Sequence, residues 1–178
     1  RKRGANRFTI RHLFILMGSS DIDQFNNVSS ALSIGEAFWS RARAHPDSPL
    51  FRYAVAPHAD ATRLWRSETY ASVTPAIARI AHHLSALGVR PGTPVAILSH
   101  TRAEWLLADI AIQTLGGITV SIYQSQPAVE VGFVLHDSGA RIVFIENEEQ
   151  AQKISWLKNN PCPIPEREGI LASTVQVQ

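Results

Sequence analysis

Polar residues at the end of an apolar segment are the first place where this sequence could do chemistry. The apolar run 95–98 is followed by Ser99-His100-Thr101-Arg102, where His100 could transfer protons and Arg102 could hold a phosphate. Ligands of parallel α/β proteins bind in the loops beyond the carboxyl ends of the strands, so this loop is the leading candidate. Thr101 and Glu104, however, have the spacing of a helix capping box, which explains both residues without a ligand. We therefore predict that Thr101 caps a helix and that its neighbours are solvated.

A glycine pair, Gly116-Gly117, is the second pattern with a chemical meaning. A phosphate cradle needs its glycines between a strand and the start of a helix, where free N–H groups point at the anion. This pair instead follows a helical pattern and precedes a strand, and the sequence contains neither a Gly-x-Gly-x-x-Gly nor a Walker-type motif. We predict that the pair ends a helix.

The remaining reactive side chains lack the spacing that chemistry requires. His136-Asp137-Ser138 contains the residue types of a hydrolase triad, but consecutive helical residues diverge by about 100°. His82 and His83 are adjacent, whereas helical zinc ligands are spaced as i and i+4. Cys162 lies between two prolines with no basic neighbour, so its thiol is not activated. We assign no catalytic, cofactor-binding or metal-binding residue to this chain.

Composition places the chain among soluble globular proteins. It has 178 residues, of which 45% are hydrophobic and 18% are charged, enough for one domain. No run of about 18 apolar residues exists, so we expect no transmembrane helix. A single cysteine excludes an internal disulfide and fits a reducing cytoplasm.

The basic charge is concentrated at the N-terminus. Five of the 17 basic residues lie within the first 11 positions, and no acidic residue lies within the first 20. The rest of the chain is slightly acidic, which argues against nucleic acid as a partner. We predict that residues 1–24 are a disordered leader. Either its Arg-rich, acid-poor start is a targeting peptide, or Met17, the only methionine, is the true start and residues 1–16 lie upstream of it.

Helical and strand patterns alternate along residues 25–178. The strands after residue 94 are short and wholly apolar, which predicts a parallel sheet buried on both faces and flanked by helices, an α/β fold. Pro75 leaves two starts for the second helix, with either Thr69 or Thr74 as its N-cap. The predicted helices span 34–44, 69–87, 101–115, 127–138 and 148–159, and the predicted strands span 50–55, 62–65, 95–98, 118–123, 141–145 and, with its partners cut away, 171–178.

The stretch from Trp65 to Trp156 resembles the N-terminal part of the adenylate-forming, or AMP-binding, enzymes. Within them it is most similar to bacterial-type long-chain fatty acid–CoA ligases. It departs from that pattern at Thr93, Gln124 and Pro75. The matching motifs are Ser67-Glu68-Thr69-Tyr70, Leu87-Gly88-Val89-Arg90-Pro91-Gly92 with 95–98, Glu104-Trp105, Gly116-Gly117-Ile118-Thr119-Val120 with Ile122-Tyr123, Asp137-Ser138-Gly139-Ala140-Arg141 with 142–145, and 148–154.

The resemblance implies that residues 25–178 are an N-terminal fragment of the large adenylate-forming domain, carrying an incomplete part of its layered parallel sheet. The parent enzyme would use ATP and magnesium to convert a fatty acid into an acyl-adenylate, and CoA would then displace AMP. The family's phosphate-binding and later motifs lie downstream of the matched region, so no site residue is transferred and the fragment alone is expected to be inactive and to bind no cofactor. The alternatives are a self-sufficient α/β binding or regulatory module, and a fragment of a shorter-chain ligase or a peptide-synthetase adenylation domain.

Overall fold

The computed structural model describes residues 33–55, 64–160 and 175–176 of the chain. The elements in these ranges alternate between helix and strand in the predicted order, which confirms the α/β class. In chain order they are α1 Ile34–Ala44, β1 Pro49–Val55, β2 Leu64–Thr69, α2 Tyr70–Ala86, β3 Pro94–Leu98, α3 Ala103–Thr114, β4 Ile118–Ile122, α4 Ala128–Ser138, β5 Val143–Ile145, α5 Glu148–Asn159 and β6 Val175–Gln176.

The predicted parallel sheet is present. Its strand order is β4-β3-β5-β6, and every neighbouring pair is parallel. Residues 95–98 of the central strand β3 are at most 1% exposed, as expected of a strand covered on both faces. β1 and β2 form a separate antiparallel pair. β6 pairs with β5, so the strand predicted near the C-terminus has a partner within this chain.

Two apolar cores lie against the two faces of the sheet, because successive side chains of a strand point to opposite faces. Val95 and Ile97 of β3 belong to the core formed with α1, α2 and α3. Ala96 and Leu98 belong to the core formed with α4 and α5. The largest fully buried side chains are worth about 1.5–3 kcal/mol each in transfer free energy, and they include Ile77, Leu84, Ile97, Leu98, Ile112, Ile122, Leu135 and Ile154.

The structure shows which of the two predicted N-caps, Thr69 or Thr74, begins α2. Thr69 is the N-cap, and it exchanges hydrogen bonds with Ser72 in a capping box. Thr74 lies inside the helix, where its hydroxyl donates to the carbonyl of Tyr70 at 2.7 Å. Pro75 is therefore an interior proline, and the start at Thr74 is wrong.

Several predicted boundaries shift because pairing partners set where a strand ends. β2 continues past Trp65 to Thr69, since it pairs with β1 as far as Pro49. β5 begins at Val143 rather than at Arg141. The predicted leader, Met17 and Cys162 lie outside the described residues. Among the described helices, none is long and apolar enough to cross a membrane.

Candidate functional site

The chain connections place a topological switch point between the carboxyl ends of β3 and β5. These strands are neighbours in the sheet. β3 leads to α3, which packs in the core formed with α1 and α2. β5 leads to α5, which packs in the core formed with α4 on the other face of the sheet. The two loops therefore diverge to opposite faces, which is the position where open α/β sheets bind ligands. This switch point is the candidate functional site.

Five polar residues meet at this edge, and we call Ser99, His100, Arg102, Glu104 and Glu146 the carboxyl-edge cluster. Glu146 follows β5, and its Oε2 accepts hydrogen bonds from the backbone N–H of His100 at 2.7 Å and from Ser99 Oγ at 3.3 Å. Oε2 also lies 2.8 Å from His100 Nδ1. The β3–α3 loop is thus tied to the end of β5 through one carboxylate.

Arg102 extends the cluster towards α3. Its Nη1 lies 3.6 Å from Oε1 of Glu146, and its Nε donates to Oε2 of Glu104 at 2.7 Å. The predicted cap is therefore wrong, because Arg102 and not Thr101 is the N-cap of α3, and no side chain caps this helix by a hydrogen bond. Glu104 bonds Arg102 instead of completing a capping box. His100 and Arg102 are exposed to solvent, as predicted, and in addition both side chains contact carboxylates.

Hydrogen bonding sets the charge state of the two carboxylates. Burial of Glu146 would raise its pKa, but the hydrogen bonds from the backbone and ring of His100 outweigh burial, so the pKa lies below its usual value. The hydrogen bond from Arg102 lowers the pKa of Glu104 in the same way. Both groups are ionised at neutral pH.

The cluster contains the residue types of a catalytic triad but not its connectivity. A triad needs the serine hydroxyl on the ring of the histidine, so that the ring can take its proton. Here Ser99 Oγ donates to the carbonyl of His100 and to Glu146. The His100 side chain is 58% exposed. The arrangement joins two loops and activates no nucleophile.

The other residues singled out from the sequence lie apart from this cluster. Ser138 Oγ donates to the carbonyl of Val134 at 2.7 Å, a bond within α4. His82 and His83 are both exposed on α2. Within the described residues, no group of three or more metal-ligating side chains is close enough to hold an ion.

The glycine pair 116–117 lies between α3 and β4. It is therefore at the amino end of β4, away from the carboxyl-edge cluster. Gly116 has φ of +68°, which favours glycine, and ends the helix. A Cβ on Gly117 would lie 2.9 Å from Cγ2 of Ile112, so this residue allows close packing. The predicted helix-ending role is confirmed.

Glu146 is the residue that sequence reasoning missed. It follows the third apolar run, and no motif in the sequence around it indicates a role. The signal that could have found it is topological, since the carboxyl ends of adjacent parallel strands meet at one edge. A second link at this edge, from Lys153 Nζ to the carbonyl of Gln124, also joins residues distant in sequence.

Comparison with protein families gives a match over residues 38–174 to the model of the AMP-binding enzymes. Long-chain-fatty-acid–CoA ligase FadD15 of Mycobacterium bovis is 37% identical over 97 residues, which are 54% of this chain and 16% of the relative. An uncharacterized protein of Mycobacterium tuberculosis is 31% identical over 113 residues, 64% of this chain and 60% of the relative. Phosphinothricin tripeptide synthetase PhsC of Streptomyces viridochromogenes is 31% identical over 105 residues, 59% of this chain and 9% of the relative.

The fold agrees with that of a solved fatty acyl CoA synthetase. A fatty acyl CoA synthetase of Mycobacterium tuberculosis superposes with a TM-score of 0.61 and 26% identity, covering 82% of this chain and 26% of that one. The chain therefore spans about a sixth of the length of FadD15 and about a quarter of the solved synthetase.

Proposed function

The chain belongs to the AMP-binding enzyme family, and on that premise we propose that it is the N-terminal portion of a long-chain fatty acid–CoA ligase. The observation that carries the proposal is the family match over residues 38–174 together with the parallel sheet. The identity to FadD15 is higher than that to the peptide synthetase, 37% against 31%, which supports a fatty acid as the carboxylate substrate.

The complete enzyme would form an acyl-adenylate from a fatty acid and ATP, and CoA would then release AMP. The described residues do not fit ATP or magnesium. The loops after β3, β4 and β5 contain no glycine, so none forms a phosphate cradle, and the carboxyl-edge cluster has its carboxylates paired with His100 and Arg102. We derive no chemical step through these groups. The role of this portion is to build part of the sheet that positions residues elsewhere.

The test is ATP–pyrophosphate exchange dependent on a carboxylic acid. The isolated chain is expected to give none with any acid. The product of a reading frame continued past codon 178 is expected to exchange with fatty acids and not with amino acids. Turnover by the isolated chain would contradict the scaffold role, and preference for an amino acid would contradict the fatty acid class.

One observation favours a second candidate, a self-sufficient α/β module. The uncharacterized mycobacterial relative is about as long as this chain, as the 113 matched residues make up 60% of the relative's length. A module of this kind would be monomeric and would unfold in one cooperative transition, whereas a portion of a larger domain would expose apolar surface and associate. Sedimentation and urea unfolding of the isolated chain separate the two.

A further inference from the structure

We draw no further inference here: the strongest candidate, the buried amide of Gln150 in the first turn of α5, carries nothing, because nothing in the part of the chain that the structure describes shows which donor its unpartnered oxygen would meet.

Discussion

At the scale of single residues, Glu146 is the most connected side chain at the carboxyl edge. Its two oxygens face donors from Ser99, His100 and Arg102, all of which lie in the loop after another strand. A carboxylate in that position holds two loops that the chain itself does not join. Its side chain is only 14% exposed, whereas those of His100 and Arg102 are 58% and 44% exposed, so solvent screens these contacts in part.

Glu146→Gln should therefore destabilise the fold. The amide keeps the shape but loses the charge that strengthens each hydrogen bond, and we expect a loss of about 1–2 kcal/mol in the free energy of unfolding. Urea unfolding at neutral pH measures it. Asp137→Asn, an exposed carboxylate outside the cluster, is the control and should change stability by less than about 0.5 kcal/mol. Equal effects of the two substitutions would contradict the assigned role.

The same residue predicts a pH dependence. Because the folded-state pKa of Glu146 is lowered, its contribution is complete above the ordinary glutamate pKa of 4.5 and is lost as the pH falls through the folded value. The stability difference between wild type and Glu146→Gln should thus shrink as the pH falls below about 4.5. A difference that does not shrink below about pH 4.5 would contradict the assignment. Unfolding curves at stepped pH supply the measurement.

At the scale of elements, Thr69 and Thr101 were both candidates for a helix N-cap from their positions in the sequence, but only one of them caps a helix in the structure. Thr69 caps α2, whereas Thr101 makes no cap. Thr69→Ala should cost about 1 kcal/mol, and Thr101→Ala should cost less than about 0.5 kcal/mol. Thermal unfolding of the two variants side by side measures the contrast. A larger loss at Thr101 would restore the capping box predicted from the sequence.

Two helix glycines give a second contrast between elements. A Cβ on Gly35 of α1 would lie 2.5 Å from the carbonyl oxygen of Gln113 in α3, a backbone atom that cannot move alone. A Cβ on Gly132 of α4 would meet only Cδ2 of Leu157, the end of a flexible side chain, at 2.6 Å.

Gly35→Ala should therefore cost about 1–3 kcal/mol through overpacking. Gly132→Ala should cost less, because the higher helix propensity of alanine, about 1 kcal/mol, offsets the adjustment of Leu157. Urea unfolding of both variants gives the comparison. If Gly132→Ala is the more harmful, the close approach of α1 to α3 is not as described.

Local patterns predicted most elements, because their signals are carried by neighbouring residues. The bounds of α1 and α5 match the prediction at both ends, and Gly139 ends α4 with φ of +69° as expected. Where the prediction failed, a side-chain or strand pairing that the local pattern does not encode decided the outcome. Glu104 has the spacing of a cap but bonds Arg102, and β2 is lengthened by its pairing with β1.

The candidate site could not be predicted for the same reason. The sequence pattern predicts the loop in which His100 and Arg102 lie, but their partner Glu146 is 46 residues from His100 along the chain. Only the strand order, with β5 beside β3, brings them together. No local pattern in a single sequence specifies that order.

At the scale of the whole molecule, the two cores and the central strand β3 form a framework in which the described polar groups are paired with one another at the carboxyl edge. Within the residues that the structure describes, β4 ends the sheet and exposed apolar side chains follow it, which suits this sheet to be completed by further elements. The central claim is that this portion shapes a domain whose reactive groups it does not contain.

Titration of ATP into the purified chain by calorimetry tests that claim most directly. We expect no saturable heat at millimolar ATP, with or without magnesium, because the described strand-end loops contain no glycine-rich phosphate cradle. Saturable binding with a micromolar Kd that is lost on substitution of His100 or Arg102 would contradict the account, since the carboxyl-edge cluster would then be a nucleotide site.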